Sequence, residues 1–219
     1  NLTGYSRYWH GYLLFLKPAL FFFNYGTIRI INTVCQLALV GVVVYLLFKR
    51  GAKHLILPFL CTHLILNPIL SGMSLQFSSC LYISLLGIVV ILLLKSINDN
   101  KLIFVFGLIG ACTSYFDFLT YPLATFGLPM VVLLALNRDD KLIDKAVRFI
   151  ICGFNWVFGY GFMWFGKWLV GSIVTGENIF ANAFGTVAVR MSSSNPSTEQ
   201  TYTFFSCVYK NCSSLLKNP

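Results

Sequence analysis

Six long apolar segments, separated by short charged or polar connections, constrain this chain more than any other feature of its sequence. They cover residues 28–48, 55–70, 77–94, 102–116, 119–136 and 149–173. A helix needs about 20 mostly apolar residues to cross a bilayer, and these segments have or approach that length. Inside lipid the backbone hydrogen bonds must be satisfied within the segment, which favours helices. The sequence therefore predicts an all-α polytopic transmembrane bundle of about six spans.

The composition excludes the main alternatives to a membrane protein. Hydrophobic residues make up 57% of the chain and charged residues only 11%. An ordinary soluble domain is about 45–50% apolar and about 25% charged. A soluble domain, a disordered chain and a collagen-like fibre are all poor interpretations of these values.

The positive charges indicate an orientation. The connections after the first, third and fifth spans carry nine of the 16 Lys and Arg residues. Lys and Arg accumulate in short cytoplasmic loops, so we expect these three loops to be cytoplasmic and both ends of the chain external. The net charge of +9 then reports topology, and nucleic acid is not an expected partner.

The spans divide the chain into a leader at residues 1–27, a bundle at 28–173 and an external tail at 174–219. The apolar stretch 8–23 is interrupted by Lys17 and Pro18. We expect an interfacial amphipathic helix broken near Pro18, with the end of an earlier span as the alternative. In the tail, 191–200 is predicted to be a loop between two surface helices. Because the chain begins with Asn1 rather than Met, we expect it to be part of a longer protein.

Asp117 is the sharpest functional candidate. It lies in the sequence SYFDFLTYP (114–122), between two apolar segments, with Tyr115 and Tyr121 nearby. Ionisable groups at a membrane are costly to place, which makes each a functional candidate. A carboxylate beside hydroxyl groups can act as a general base, hold a metal or bind sugar hydroxyls. The alternative is an Asp that caps a turn at the water interface.

A second candidate is the sequence RYWHGY at residues 7–12. Arg7 is a permanent cation and His10 titrates near neutral pH, so both can contact a phosphate. Trp9 offers a surface on which a sugar ring can pack. The alternative is an aromatic belt at the membrane interface with an Arg that extends towards water.

Three further candidate residues lie near or just after the outer end of the sixth span. Lys167 and Trp168 lie near its outer end, and Glu177 follows shortly after. Lys167 can pair with a lipid headgroup or a substrate phosphate, and Glu177 is a weaker candidate for a second acid. The alternative is a Lys that extends outward beside an interfacial Trp.

Two polar residues of the second span are also candidates. His63 and Asn67 are four residues apart, so on a continuous helix they would share a face. They are expected to line a polar cavity or to hydrogen-bond to neighbouring helices.

The layout resembles bacterial polytopic membrane glycosyltransferases of the GT-C type. The residues that carry the resemblance are RYWHGY at 7–12, the stretch up to Phe23 with many spans after it, and SYFDFLTYP at 114–122. The resemblance implies transfer of a sugar from a polyprenyl-phosphate carrier at the outer face, with a carboxylate as base. Enzymes of this type usually carry their main acidic residues in a first large external loop, which here would precede residue 1.

The resulting hypothesis is an inverting, lipid-linked sugar transferase at the outer leaflet of a bacterial plasma membrane. Its expected partners are membrane lipid, a polyprenyl-phosphate sugar donor and a glycan or lipid-linked acceptor, and Mg²⁺ or Mn²⁺ is an open expectation as cofactor. The proposed catalytic residues are Asp117 and His10, and the proposed substrate-binding residues are Arg7, Trp9, Tyr115, Tyr121, Lys167, Trp168 and Glu177. The alternatives are a transporter or flippase for a lipid-linked or polar substrate, and a non-catalytic membrane scaffold.

Overall fold

The computed structural model describes residues 9–94, 99–117, 120–181 and 183–185, with short pieces at 193–194, 201–202, 205–206, 209 and 213. Its α-helices are α1 (Leu13–Phe22), α2 (Tyr25–Lys49), α3 (Ile56–Ile65), α4 (Pro68–Met73), α5 (Leu75–Leu93), α6 (Asp99–Phe116), α7 (Leu123–Leu136) and α8 (Leu142–Thr175). A single 3-10 turn, Lys53–Leu55, precedes α3.

Three of these helices are long and apolar enough to cross a membrane. They are α2, α5 and α8, with 25, 19 and 34 residues and mean hydropathies of 2.2, 2.1 and 1.3 over their most apolar windows. At 1.5 Å per residue, α5 is about 28 Å long and α2 about 37 Å, close to the ~30 Å of a bilayer core. These lengths and hydropathies support the prediction of a helical membrane protein.

The second predicted span is divided between α3 and α4. Asn67, between them, adopts a left-handed conformation with φ of 54°, and Pro68 occupies the first turn of α4. A residue before proline is pushed out of the α region, which ends the preceding helix. The Asn67 side chain then caps α4 by accepting a hydrogen bond from Leu70 N at 3.2 Å. The expectation that His63 and Asn67 share one helix face is thus wrong.

The leader contains a helix that does not break at Pro18. α1 runs through this proline, which is the sixth of its ten residues. Proline removes one backbone donor, but the turn continues beyond it, since Phe23 N donates to Ala19 O at 2.9 Å. The expected break near Pro18 is therefore wrong. No residue of α1 is buried.

The tail after α8 shows one departure from the predicted loop at residues 191–200. Ser193–Ser194 (β1) pairs antiparallel with Thr201–Tyr202 (β2), in the register Ser193 to Tyr202 and Ser194 to Thr201. Each strand is two residues long.

The structure divides into two compact units, residues 8–166 and residues 1–7 with 167–219. In the first unit α5 contributes to two apolar clusters. One cluster packs α5 against α2, α3 and α7, with Val43, Leu47, Leu85 and Ile88 among its fully buried side chains. The other packs α5 against α6, α7 and α8, around Leu102, Phe106, Met130, Leu133 and Trp156. α5 is therefore the central helix of this unit.

α2 and α5 run parallel, and polar contacts fix both ends of the pair. Near their beginnings, the Asn32 side chain of α2 donates to Ser78 Oγ of α5 at 2.7 Å. Near their ends, the Arg50 guanidinium donates to Leu92 O at 2.7 Å and also to Leu94 O. Arg50, interpreted from the sequence as a topology signal, thus also satisfies carbonyl groups at the end of α5, which have no partner within that helix.

Glycines allow α6 and α8 to approach at backbone distance. A Cβ atom on Gly110 would lie 2.9 Å from the carbonyl carbon of Trp156 and 3.0 Å from Tyr160 N, and one on Gly159 would collide with the Gly107 carbonyl. Small residues permit such close packing between membrane helices. Gly159 is therefore a packing residue, whereas Gly161 has open space around it.

Candidate functional site

The two motifs selected from the sequence are in direct contact. Gly11 N donates a backbone hydrogen bond to Tyr115 O at 3.0 Å. The Trp9 ring packs against the Tyr115 ring with a centroid distance of 5.3 Å. A Cβ atom on Gly11 would lie 2.5 Å from Tyr115 O and 2.6 Å from a carbon of its ring. Position 11 therefore requires glycine for the two segments to meet.

Two more contacts hold the beginning of the described leader in place. Trp9 Nε1 donates to Met163 O in α8 at 2.9 Å. Phe15 of α1 stacks on Phe116, the last residue of α6, at 5.8 Å. Residues 9–15 thus contact both α6 and α8 next to the position at which α6 ends.

Asp117 follows α6 directly and is only 4% exposed. Its backbone N–H extends the last helical turn by donating to Thr113 O at 2.9 Å. Its carboxylate accepts two hydrogen bonds from Thr120, one from the backbone N–H at 3.0 Å and one from the hydroxyl group. Among the described residues, no Lys or Arg forms an ion pair with Asp117. Asp117 therefore holds Thr120 next to the end of α6 and, within the described part of the chain, is a buried carboxylate without a cationic partner.

Both interpretations of Asp117 are compatible with this geometry. An ionised carboxylate has about four lone-pair sites, and the hydrogen bonds from Thr120 occupy two of them. Thr120 thus fixes the orientation of the carboxylate, as both interpretations require.

The beginning of α5 completes the surroundings of Asp117. The Thr120 hydroxyl lies 3.4 Å from Cys80 Sγ, and Tyr121 OH donates to Phe77 O at 3.2 Å. Ser114, one turn before Asp117, is 7% exposed, and its Oγ has no hydrogen-bond partner among the described residues. Thr120 and Tyr121 are therefore both hydrogen-bonded to α5, and the sequence did not predict this contribution of α5.

A second polar cluster links α2, α4 and α5, and sequence reasoning missed most of it. Its side chains are Asn32, Gln36, Ser71, Ser78 and Tyr82. Gln36 Nε2 donates to Ser78 Oγ at 2.9 Å, Ser78 Oγ donates to Ser71 O at 2.6 Å, and Tyr82 OH donates to Asn32 Oδ1 at 2.9 Å. The sequence signal for this cluster is the pair of amide side chains Asn32 and Gln36, which are four residues apart and share one face of an apolar helix.

This cluster borders a cavity with a volume of about 610 Å³. α1, α2 and α5 supply most of its walls, and Phe116 also lines it. Ligand sites in proteins usually have volumes of about 300–1,000 Å³. The cavity is therefore large enough for a small molecule or part of a lipid, and Phe116 connects it to the Asp117 turn.

The other predicted site residues are placed as follows. Arg7 lies outside the described residues. His10 is partly buried, and its ring centroid is 6.2 Å from that of Tyr12. Lys167, Trp168 and Glu177 belong to the second compact unit. The relation of these three residues to the Asp117 turn stays a prediction.

Within that second unit, Trp168 has an internal packing role. Its ring meets Phe180 at 5.8 Å and Phe184 at 5.9 Å, both edge-on. Glu177 is exposed, and its backbone N–H donates to Thr175 Oγ at 3.2 Å. Glu177 thus lies just after the turn that ends α8.

His63 does not line a polar cavity. It is 5% exposed and stacks on Phe59 at a centroid distance of 6.5 Å. Neither ring nitrogen has a hydrogen-bond partner within the described part of the chain. His63 is therefore an apolar packing residue in this structure.

No grouping of His, Cys, Asp or Glu side chains in the described ranges is suited to hold a metal ion. No family model matches the chain, and neither a curated protein nor a solved structure matches it. The fold and geometry define the class, a helical membrane protein with a buried carboxylate beside an aromatic leader. Function is inferred from this site alone.

Proposed function

We propose that the chain is a membrane glycosyltransferase that moves a sugar from a polyprenyl-phosphate-linked donor to a glycan or lipid-linked acceptor at the outer face of the plasma membrane. One observation carries the proposal. The aromatic leader at Trp9 and the end of α6 at Tyr115 are in contact, and the buried Asp117 lies two residues further along. An aromatic surface for a sugar and a carboxylate for its acceptor thus come from two distant parts of the sequence.

The proposed reaction begins at Asp117. A lone pair of its carboxylate takes the proton of the acceptor hydroxyl as that oxygen attacks the anomeric carbon of the donor. The bond from the anomeric carbon to the phosphate oxygen breaks, and the phosphate leaves with the bonding electrons. Attack from the opposite side inverts the anomeric centre. Thr120 holds the carboxylate in one orientation through the reaction.

The departing phosphate needs positive charge nearby, because negative charge develops on its bridging oxygen. We assign this role to His10, Arg7 and Lys167. Trp9, Tyr115 and Tyr121 are assigned to the sugar, because aromatic rings offer flat apolar faces and phenols donate hydrogen bonds. Trp168 and Glu177 are assigned to the acceptor side.

The proposal includes a topology of six spans. α2, α5 and α8 are long enough to cross alone, and we assign the remaining crossings to α3 with α4, to α6 and to α7. The basic connections would be cytoplasmic, and both ends of the chain external. In this arrangement Asp117 and the leader lie at the outer face, where lipid-linked sugars are used.

One observation favours a second candidate function, a transporter or flippase. The helix break at Asn67 resembles the discontinuous helices that line substrate sites in secondary transporters. Against this candidate, two carbonyl groups of α4, Ser71 O and Gly72 O, accept hydrogen bonds from Gln36 and Asn32.

The test of the proposed function uses membrane vesicles that contain the protein and matched vesicles that lack it. A radiolabelled polyprenyl-phosphate sugar is added with a mixed glycan acceptor, and labelled product is separated from donor. We expect labelled glycan only where the protein is present. If no lipid-linked donor gives product while the labelled lipid crosses the bilayer, the transferase proposal is wrong and transport replaces it.

A further inference from the structure

The cavity between α1, α2 and α5 contains a hydrogen-bonding group without a partner. Ser79 lines the cavity and is 9% exposed. In the described part of the chain no group accepts a hydrogen bond from its Oγ or donates one to it. Neighbouring Ser78, by contrast, is fully engaged with Asn32 and Gln36. A hydroxyl that faces an apolar cavity is stabilised by a ligand acceptor, because a lost hydrogen bond is costly in an apolar site.

The cavity favours a neutral occupant. Its lining residues are aliphatic, aromatic or uncharged polar, and no Lys, Arg, Asp or Glu is among those described. A phosphate group would have no counter-ion there, and its desolvation would not be compensated. The long apolar walls suit a hydrocarbon chain, and Ser79 suits a neutral acceptor such as a carbonyl oxygen.

The depth of Ser79 along α5 indicates which kind of carbonyl group would accept its hydrogen bond. α2 and α5 begin at the same end of the bundle, and Ser79 is the fifth residue of α5. At 1.5 Å per residue it lies about 6 Å from the beginning of that helix. In the six-span topology proposed above, on which this step rests, α5 begins at the outer interface, and this depth is that of the glycerolipid ester groups between the headgroups and the hydrocarbon core. A lipid phosphate would lie nearer to water.

We propose that this cavity holds one acyl chain of a membrane glycerolipid, whose ester carbonyl accepts a hydrogen bond from Ser79. The acyl chain extends along α2 and α5 past Cys35, which also lines the cavity. This site is separate from the sugar-transfer function, and its occupancy is measured without any assay of transfer.

The protein contains one cysteine that can report occupancy of the cavity and a second cysteine that serves as an internal control. Cys35 is exposed and lines the cavity, whereas Cys61 is exposed on α3 and does not line it. Purified protein is delipidated in detergent, then incubated with phosphatidylglycerol of one chain composition in ester-linked or ether-linked form. Labelling of each cysteine by N-ethylmaleimide is followed by mass spectrometry of its peptide.

We expect both lipids to slow labelling of Cys35 and neither to affect Cys61. The ester lipid should protect Cys35 at about fivefold lower concentration than the ether lipid, which corresponds to one hydrogen bond of ordinary strength. Ser79→Ala should abolish this preference and leave protection by the chain itself. Ser84→Ala is the matched control, because Ser84 is fully buried and bonded to Cys80 O at 2.7 Å, away from the cavity.

Three results would overturn the proposal. The first is equal protection by ester and ether lipids in the wild type. The second is an ester preference that survives in Ser79→Ala. The third is protection by polyprenyl phosphate at lower concentration than phosphatidylglycerol, which would assign the cavity to the donor lipid.

Discussion

Substitution of Gly11 by Ala tests the contact between the leader and the end of α6. The new Cβ would lie 2.6 and 2.7 Å from two carbons of the Tyr115 ring. Carbon atoms normally approach to about 3.5–4.0 Å, so the segments must separate by roughly 1 Å. The hydrogen bond from Gly11 N to Tyr115 O, now 3.0 Å, would then be lost.

The cost follows from these two effects. Overpacking of this kind destabilises by about 1–3 kcal/mol, and the lost hydrogen bond adds about 1 kcal/mol. For a chain of this length, 1 kcal/mol shifts the unfolding midpoint by roughly 2–4 °C. We therefore expect Gly11→Ala to lower Tm by about 4–16 °C.

The assay is thermal unfolding of purified protein in detergent, together with hydrogen exchange of the peptide that covers residues 9–14. Gly41→Ala is the matched control. Gly41 lies in α2 with no atom near a new Cβ, so alanine should leave Tm unchanged or raise it slightly. A Gly11→Ala variant with wild-type Tm and wild-type exchange in this peptide would refute the contact.

Three other substitutions test the packing of the first unit, each read as Tm in detergent. Gly159→Ala should destabilise by about 2–4 kcal/mol, because its Cβ collides with the backbone of α6; Gly161→Ala, with open space around it, should be neutral, and equal effects would contradict the α6–α8 contact. Arg50→Gln should cost about 1 kcal/mol, because the carbonyl groups at the end of α5 lose a charged donor; an unchanged Tm would show that Arg50 reports topology alone. Asn32→Leu should cost about 1–3 kcal/mol by removing partners of Ser78 and Tyr82, and a stabilised variant would contradict the polar cluster.

Local sequence patterns predicted the helical class but not the shape of every helix. The apolar run at 28–48 leaves little choice other than a long helix, and α2 covers it. The break at Asn67 was less visible, because it depends on a left-handed backbone at one residue and on capping by its side chain. At Pro18 the local rule for proline predicts a break that does not occur, because one missing donor does not end α1.

The site depends on contacts that no local pattern contains. The residue types of both motifs predicted a functional role. The hydrogen bond from Gly11 to Tyr115, however, joins positions 104 residues apart. The need for glycine at position 11 follows only from that contact. Cys80 resembled any small apolar residue of a span until the structure placed it against Thr120. Asn32 and Gln36 were detectable from their spacing, since two amides on one face of an apolar helix need partners.

The central claim is that the Asp117 carboxylate acts as the base in sugar transfer, and Asp117→Asn tests it most directly. Asparagine keeps the size of the side chain, and its amide oxygen still accepts the hydrogen bond from Thr120 N–H, while its NH2 group donates to the Thr120 hydroxyl oxygen. The amide does not take a proton. Asp139→Asn is the matched control, because that side chain is fully exposed. The rate of transfer from polyprenyl-phosphate sugar should fall by about 10²–10⁴-fold in Asp117→Asn and stay at the wild-type value in Asp139→Asn. A wild-type rate in Asp117→Asn would contradict the claim and leave Asp117 as the residue that caps the turn after α6.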